Sequence, residues 1–307
     1  MADVGISSIA GYLPRLRLSK NSIAQANAWL APNLVGKGKG TRAMANWDED
    51  SVTMSVEAIR RILGENDDRS HVDSLFFAST TMPFSDRLNS GIIRAALTLE
   101  EETECIDIGS TLKSGTSALI QALDKVKSGN SNYSIVSVAD KRKARAASPQ
   151  ELDFGDASVA LSVDSDNLIA KYINSSSLSI DFIDHFRQPG EEFDYNWEER
   201  WIRDEGFLKI VPKAINDLFD KTNIDGSKID HFIIPSVFPR VDQMIAKKCG
   251  IDPDKVVNNM ALTVGNSGSA HALLMLASVL ETAKPGEKIL VCSFGNGSDA
   301  LLFETTD

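Results

Sequence analysis

The chain has 307 residues, of which 42% are hydrophobic, enough for one large domain or two fused domains around a sizeable core. Its formal net charge of −11 repels phosphate backbones and anionic lipid surfaces, which argues against nucleic acid and membranes as partners. No apolar stretch reaches the roughly 20 residues that span a bilayer, and no secretory signal pattern opens the chain, so we expect a cytoplasmic protein.

The first half of the chain contains three blocks with clear patterns. The segment AIRRILGENDDRSHVDSLFFASTTMP, from Ala58, predicts an amphipathic helix, a polar loop and an apolar strand that ends in small residues and a proline. The segment SGTSALIQAL, from Ser114, predicts a helix that is apolar on nearly all sides, as buried helices are. After a short turn, YSIVSVAD from Tyr133 predicts a buried strand.

The second half repeats these blocks in the same order. AINDLFDKTNIDGSKIDHFIIPSVFP begins at Ala214, SGSAHALLML at Ser267 and EKILVCSFG at Glu287. Because the spacing between matched blocks is nearly constant, we predict two copies of one α/β unit of roughly 150 residues, which are fused into one globular protein. The N-terminal half is predicted at residues 1–165 and the C-terminal half at 166–307. The continuous apolar strands favour two sheets with the buried helices between them.

Two further observations limit the class of protein. A generic dinucleotide-binding α/β protein is the alternative to a duplication, but no GxGxxG motif follows a first strand. The cysteines, Cys105, Cys249 and Cys292, form neither a CxxC pair nor a metal-ligand spacing. We therefore predict reduced and mostly buried thiols, no metal site and no permanently bound cofactor.

Several segments together resemble the thiolase superfamily. DIGSTLKSGTSAL looks like the family's motif at the N-terminus of a buried helix, with Thr116 in the threonine place and Leu112 in the place of the nucleophilic cysteine. FGDASVALSV from Phe154, VGNSGSAHA from Val264 and SFGNGSDALLF from Ser293 look like other segments of hydroxymethylglutaryl-CoA synthases and type III ketoacyl synthases. The resemblance spans nearly the whole chain and implies a thiolase-like, five-layered αβαβα fold.

Three segments resemble the hydroxymethylglutaryl-CoA synthase branch in particular, including its short archaeal and bacterial members. They are NWDEDSVTMSVEA from Asn46, DHFRQPGEEFDYNWEERW from Asp184 and FPRVDQMIAKKCGI from Phe238. The second of these looks like an insertion that type III ketoacyl synthases lack. In the family, this insertion borders the acyl-CoA tunnel.

The resemblance also implies that the family's catalytic residues are replaced. A cysteine at a helix N-terminus is acylated as a thiolate, which Leu112 cannot form. Ser236 takes the place of the histidine. Thr80 takes the place of the general acid/base carboxylate, or Ser79 or Thr81 does if the loop is shifted by one residue. Asn266 occupies the family's asparagine place, either as a remnant that polarises a thioester carbonyl or as part of a tight turn.

Candidate ligand contacts are less specific. A coenzyme A thioester is the expected ligand. Its phosphates could contact a basic cluster, Lys141, Arg142, Lys143 and Arg145, or the pair Lys247 and Lys248. Alternatively, these side chains are solvated. Lys113, beside Leu112, could form a Schiff base or an ordinary salt bridge. His185 and His271 are candidate ligand contacts, whereas His71 and His231 are expected to be structural.

Three functions are compatible with this pattern. The first is a noncatalytic or structural subunit of an acyl-CoA acyltransferase or thiolase complex. Such a subunit would form a homodimer or a heterodimer with a thiolase-like chain, with a small OB-fold/zinc-ribbon protein as a further partner. The second is a cysteine-independent retro-aldolase or C–C lyase that acts on a CoA thioester, with Tyr195, His185 or Asp156 in proton transfer. The third is a protein that only binds acyl-CoA.

Overall fold

The computed structural model describes residues 3–64 and 68–306. Its strands are β1 (Gly5–Tyr12), β2 (Leu16–Ser19), β3 (Thr41–Met44), β4 (Ser74–Ala78), β5 (Glu104–Ile108), β6 (Ser134–Asp140), β7 (Ala157–Asp164), β8 (Ala170–Ser179), β9 (His185–Phe186), β10 (Tyr195–Asn196), β11 (His231–Ile233), β12 (Lys288–Phe294) and β13 (Gly297–Thr305). Its helices are α1 (Lys20–Ala26), α2 (Ser51–Leu63), α3 (Asn89–Ala96), α4 (Ser114–Lys127), α5 (Pro149–Asp153), α6 (Glu199–Trp201), α7 (Leu208–Thr222), α8 (Val241–Lys248) and α9 (His271–Leu280). Part of the polar loop predicted after α2, residues 65–67, lies outside the described residues.

The predicted elements are found with small shifts of their ends. The first amphipathic helix begins at Ser51, seven residues before Ala58, because Asp50 caps it and forms a reciprocal capping box with Thr53. The strand predicted from Phe154 begins at Ala157. Across residues 3–64 and 68–306, no helix combines the length and the apolar character needed to cross a membrane.

The main sheet contains the same strand order twice. From its centre outward, one part runs β1, β7, β6, β4 and β5, and the other runs β8, β13, β12 and β11. In each part the second strand is antiparallel to both of its neighbours, and the next two strands are parallel to each other. An isolated parallel bridge from Phe232 to Val256 lies beside β11, where β5 lies beside β4. The structure therefore carries a duplicated topology, as the matched blocks indicate.

The two parts of the sheet are continuous, which differs from two separate sheets. β1 pairs with β8 only through Gly5 with Lys171 and Ile6 with Ala170. A Cβ atom on Gly5 would overlap the backbone carbonyl of Ala170, so a residue without a side chain allows this contact. The division between residues 165 and 166 stays a prediction; β7 ends at Asp164 and β8 begins at Ala170.

Two helices form the central layer. One hydrophobic cluster joins α4, α9 and the facing sides of both sheet parts, and it includes Leu119, Leu123, Leu273 and Met275. The helix N-termini meet closely, because a Cβ atom on Gly115 would lie 2.5 Å from the carbonyl oxygen of Ser269. The small residues that open both helices are thus required by packing.

The outer layers complete the fold. Helices α2 and α3 pack on the outside of the first sheet part, in a cluster that includes Ile59, Phe77 and Ile93. Helices α7 and α8 pack on the outside of the second part, around Phe232 and Ile245. The order of layers is α, β, α, β, α, so the predicted thiolase-like fold is confirmed.

Candidate functional site

Leu112 lies just before α4, where two loops meet. The Thr111 hydroxyl donates a hydrogen bond of 2.6 Å to the carbonyl oxygen of Gly295, and the Ser114 N–H donates to Thr111 in a tight turn. A Cβ atom on Gly295 would come within 2.8 Å of the Leu112 nitrogen. The glycine loop before β13 therefore holds Leu112 in place at the N-terminus of the buried helix.

The side of Leu112 that faces away from the core lines a cavity of about 270 Å³, which we call the Leu112 cavity. Its wall is mixed: Leu112, Phe154, Trp197, Phe207, Phe238 and Phe294 are apolar, and Asp153, Asp184, His185, Ser236 and Asn266 are polar. A concave, largely apolar site with a few convergent polar groups is typical of a small-molecule site. The cavity is therefore the candidate functional site.

Two neighbouring cavities share residues with it. The outer cavity, about 520 Å³, shares Phe154 and Asn196 and is also lined by Lys143, Arg145 and Tyr195. The Lys20 cavity, about 230 Å³, shares Asp153, Ser236 and Asn266 and is also lined by Lys20 and His271. The Leu112 cavity thus shares part of its wall with each of the other two cavities.

None of the three cysteines lines the Leu112 cavity. Burial raises the pKa of Cys105, which lies in β5. Burial raises the pKa of Cys249 to about 11 and that of Cys292 well above its usual value. All three side chains therefore stay protonated near pH 7.

The structure brings together two of the other predicted positions. Ser236 and Asn266 line the Leu112 cavity. The Ser236 hydroxyl accepts a hydrogen bond of 3.1 Å from the Phe238 N–H. The Asn266 side-chain oxygen accepts from the Gly268 N–H, and its backbone pairs with Asp153 on the facing loop. Asn266 is therefore both part of a tight turn and part of the cavity wall.

Thr80 does not line the Leu112 cavity. Its N–H donates a hydrogen bond of 2.7 Å to the buried Asp140 carboxylate, and its carbonyl oxygen accepts from Arg187. Ser79 and Thr81 donate their hydroxyl hydrogens to the same carboxylate. Whichever of the three residues takes the carboxylate place, it belongs to a structural network around Asp140.

The basic cluster is dispersed. Lys141 donates to the backbone carbonyls of Asn46 and Glu49. Arg142 is buried, lies over the Phe154 ring and pairs with Asp194 at 2.9 Å, while it also lines the Leu112 cavity. 

Lys143 is exposed at the outer cavity and pairs with Glu192. Lys247 and Lys248 lie at the end of α8 and line none of the three cavities. Of these candidates, Arg142, Lys143 and Arg145 line the cavities, where a ligand could contact them.

Lys113 points away from the Leu112 cavity. Its ammonium group forms a buried ion pair of 2.9 Å with Asp299 on β13 and contacts the hydroxyl of Ser177. Asp299 also accepts from Thr116 and Ser117 of α4. The salt bridge is thus the observed state of Lys113, and it fastens α4 to the second half of the sheet.

The histidines differ in their settings. His185 lines the Leu112 cavity, and its Nδ1 lies 3.1 Å from Asp184. Burial lowers the pKa of His271 to about 4, so its ring is neutral, with Nε2 donating to the Asn259 carbonyl and Nδ1 accepting from Ser267. His71 packs edge-on against Tyr133, and His231 opens β11 and pairs with Glu287.

Asp153 is the cavity residue that sequence reasoning missed. It ends α5 and lines both the Leu112 and the Lys20 cavities, and burial raises the pKa of its carboxyl. A signal was present, because this acid stands between Leu152 and Phe154 at the start of the segment that closes the first half. By contrast, Asp156 is buried outside the cavity, and Tyr195 lines the outer cavity.

Comparison with known proteins agrees with this fold. Residues 219–302 match the family model described as the C-terminal domain of 3-oxoacyl-[acyl-carrier-protein] synthase III. A hydroxymethylglutaryl-CoA synthase of Caldivirga maquilingensis is 29% identical and covers 99% of this chain and 88% of its own. One of Methanosphaera stadtmanae is 26% identical, with 98% and 88% covered.

Solved structures show the same fold. A hydroxymethylglutaryl-CoA synthase crystallised in complex with CoA superimposes with a TM-score of 0.87 at 18% identity, covering 100% of this chain and 83% of its own. The 3-oxoacyl-(acyl carrier protein) synthase III of Pseudomonas aeruginosa gives 0.86 at 17% identity, covering 99% and 98%.

Proposed function

We propose that this chain, which belongs to the thiolase superfamily and is similar to hydroxymethylglutaryl-CoA synthases along its whole length, is an acyl-CoA-binding subunit without covalent catalysis of its own. In this proposal it is a noncatalytic partner within a complex that forms or cleaves C–C bonds of acyl-CoA thioesters. The observation that carries the proposal is Leu112, an apolar side chain at the helix N-terminus that faces the cavity.

The rest of the cavity supports the absence of a covalent step. Acylation needs a nucleophile and a base within hydrogen-bond reach of it. No cysteine lines the cavity, and Ser236 donates and accepts within its own turn. Thr80 is held in the Asp140 network. The lack of a cysteine among the described residues that line the cavity supports the proposal that the chain performs no covalent Claisen step.

A CoA thioester is the ligand that we propose for the cavities. The related fold solved with CoA supports this choice. The elongated succession of the outer cavity and the Leu112 cavity suits a flexible chain with an acyl end, and Lys143 and Arg145 line the outer part, where phosphates would find cations. The global charge of −11 makes such local cations necessary for an anionic ligand.

A partner subunit is proposed to supply the chemistry. We propose a thiolase-like chain, with a small OB-fold/zinc-ribbon protein as a further component, or a homodimer. Two tryptophans support a protein interface, because Trp29 is 82% exposed and Trp47 is 89% exposed. Large exposed aromatic side chains are enriched at protein interfaces.

A cysteine-independent C–C lyase is the second candidate, and His185 and Asp153 in one cavity favour it. His185, oriented by Asp184, would remove the proton of a 3-hydroxyl group while the C2–C3 bond breaks and a carbonyl forms at C3. The electron pair would pass to the thioester enolate, and protonated Asp153 would return a proton to C2. The raised pKa of the Asp153 carboxyl suits this role.

One experiment separates these functions. The chain is purified alone and after co-expression with the products of neighbouring genes, and each preparation is incubated with a panel of acyl-CoAs. We expect no covalent adduct by intact mass and no turnover by the isolated chain, and activity only in a co-purified complex. C–C cleavage by the isolated chain that is lost in His185→Ala would favour the lyase instead, and acylation of the isolated chain would overturn the noncovalent proposal.

A further inference from the structure

Aromatic rings form a large part of the wall of the Leu112 cavity. Phe154, Trp197, Phe207, Phe238 and Phe294 all line it, although aromatic residues make up only 7% of the chain. These residues are far apart in the sequence, and only the fold brings them to one cavity. The apolar wall of the cavity is therefore mainly aromatic rather than aliphatic.

Three of these rings pack against one another. Between ring centroids, Phe207 lies 4.3 Å from Phe294 in a tilted pair and 5.9 Å from Phe238 in an edge-on pair. Aromatic rings prefer offset and edge-to-face geometries of this kind. The three rings, which we call the aromatic array, could therefore be extended by a further ring in the cavity.

The backbone beside the aromatic array is π-helical. A π turn, Ile202–Phe207, joins α6 to α7, and both of its end residues line the cavity. In an α-helix, residues five apart lie on different sides, because one turn holds about 3.6 residues. The i→i+5 spacing of a π turn brings them to the same side. Because such turns are frequent at functional sites, this one supports the cavity as a ligand site.

Gly206 allows the aromatic array to pack against this turn. A Cβ atom on Gly206 would lie 2.7 Å from a ring atom of Phe294 and 2.9 Å from a ring atom of Phe182. Phe182 also packs edge-on against Phe294 and stacks on Trp201. The rings are thus held in place before any ligand binds, which reduces the entropy that binding would cost.

The volume of the cavity suits a six-membered ring. It is about 270 Å³, whereas an apolar cavity of about 150 Å³ is large enough to bind benzene. An acetyl group would leave much of this space unfilled and would forgo contacts with the wall. The cavity therefore has room for a ring together with the thioester group to which it is attached.

Several polar groups of the wall are already paired within the protein. Ser236 is bonded within its own turn, and His185 lies 3.1 Å from Asp184. Arg142 pairs with Asp194, but its Nη1 atom is buried without a hydrogen-bond partner in the part of the chain that the structure describes. Arg142 therefore offers a charged donor for a carbonyl oxygen such as that of a thioester.

We propose that the Leu112 cavity takes an acyl group that carries an aromatic ring, such as a phenylacetyl or benzoyl group. The inference rests on the proposed acyl-CoA binding and adds the class of acyl group. The ring extends the aromatic array, and the thioester oxygen accepts a hydrogen bond from Arg142. Phe207, which contacts both other rings of the array, is then a specificity-determining residue.

Isothermal titration calorimetry with the full chain tests this ligand class. Phenylacetyl-CoA carries an aromatic ring, cyclohexylacetyl-CoA a saturated ring with the same number of carbons, and acetyl-CoA no ring. We expect phenylacetyl-CoA to bind about tenfold or more tightly than acetyl-CoA, because the ring buries apolar surface. It should bind about two- to tenfold more tightly than cyclohexylacetyl-CoA, because aromatic pairs contribute beyond the burial of their area.

Three variants assign the aromatic preference to the array. Phe207→Leu keeps an apolar side chain but removes a ring, so the preference over cyclohexylacetyl-CoA should fall below about twofold. Phe238→Leu changes a half-buried loop residue, should lower the preference as well, and replaces Phe207→Leu if that variant does not fold. Phe219→Leu, on α7 but outside the Leu112 cavity, is the matched control and should leave the preference unchanged. Circular dichroism and thermal melting show which variants are folded.

The outcomes separate the inference from the proposed function. Equal affinity for phenylacetyl-CoA and cyclohexylacetyl-CoA, or for all three thioesters, keeps the proposed function and overturns the aromatic class. If no thioester binds, the proposed function fails, and free phenylacetamide against free cyclohexylacetamide then decides the aromatic class by thermal shift. A larger shift with phenylacetamide that Phe207→Leu or Phe238→Leu abolishes supports the inference, and equal shifts overturn it.

Discussion

Leu112 lies just before the first turn of α4 and also lines a cavity. A helix N-terminus stabilises negative charge, and a cysteine there would be a thiolate at neutral pH. A leucine gains nothing from this field, yet it packs against the glycine loop that includes Gly295. The structure therefore places an apolar side chain at the start of this buried helix, on the wall of a cavity.

Restoring a thiol at this residue tests whether the position is accessible to ligand. We expect Leu112→Cys to be acetylated by acetyl-CoA, as measured by intact mass, because residue 112 lines the cavity. The loss of buried methyl groups should cost about 1 kcal/mol of stability. Leu112→Ser is the matched control and should stay unmodified. A thiol that remains free while acetyl-CoA binds would show that residue 112 does not face the acyl group.

We expect the Asp156 carboxyl to make the free energy of unfolding depend on pH. Burial raises the pKa of its carboxyl to about 6 in the folded state, against 3.8 for an ordinary Asp. Between these values the folded state holds a proton that the unfolded state has released, so the free energy of unfolding falls as pH rises from about 4 to 6. Asp156→Asn removes this loss and should stabilise the protein by up to roughly 2–3 kcal/mol at pH 7.5, with little effect at pH 4.

Urea unfolding of both proteins at the two pH values measures the difference. Comparing the variant with the wild type cancels the opposite contribution of His271, whose lowered pKa reduces stability as pH falls from 6.5 toward 4. A difference between the variant and the wild type that does not change with pH would contradict the raised pKa of Asp156.

We expect the buried ion pair between Lys113 and Asp299 to contribute strongly to the stability of the fold. Lys113→Met leaves the Asp299 carboxylate buried without its cation, so we expect a loss of about 3–5 kcal/mol in urea unfolding. Lys209, on α7, forms an exposed ion pair with Glu205. Lys209→Met breaks this pair and should lower the free energy of unfolding by less than about 0.5 kcal/mol. Similar losses in the two variants would indicate that the Lys113 pair is not the fastening that the structure shows.

At the scale of elements, the start of α4 lies in close contact with the turn that precedes α9. Gly115→Ala should destabilise the protein by about 1–3 kcal/mol, because the new Cβ atom would lie 2.5 Å from the Ser269 carbonyl oxygen. Gly36→Ala is the control, since nothing lies within 4 Å of its Cβ position. Thermal melting compares the two, and a neutral Gly115→Ala would mean that the helices can separate.

The elements were predictable because their patterns are local and occur twice. The strand register supports the matched blocks directly: Leu75 pairs with Ile135 in one half, and His231 pairs with Ile289 in the other. The link between β1 and β8 was not predictable, because two residue pairs at the end of two strands leave no pattern in either strand. Sequence alone therefore suggested two sheets where the structure has one.

At the scale of the whole molecule, the cavity was predictable only in part. Leu112, Ser236 and Asn266 were identified through the resemblance to the thiolase superfamily, and they do line one cavity. Asp153 and Lys20 come from short helices outside the repeat. Only the folded chain brings Asp153 to that cavity and both residues to the neighbouring Lys20 cavity. Thr80 occupies a corresponding strand end, yet Asp140 holds it away from the cavity, which no spacing could indicate.

Ligand binding to the whole molecule should appear as thermal stabilisation. An acyl-CoA at about 100 times its dissociation constant would add about 2.7 kcal/mol to the free energy of unfolding. Leu112→Trp fills the Leu112 cavity and should lose this stabilisation, whereas Leu262→Trp, at a position that is 62% exposed, should keep it. Equal stabilisation of both variants would place the ligand elsewhere on the molecule.

Because residue 112 is a leucine, the start of α4 carries no thiol that a thiol reagent could modify. Alkylating agents and peroxide react with thiolates, and its three cysteines are held as thiols by burial. In a complex with a cysteine-dependent partner, alkylation would therefore count the partner's active sites alone. The inhibitor consumed per complex would give the stoichiometry of the assembly, with this chain as an unreactive internal standard.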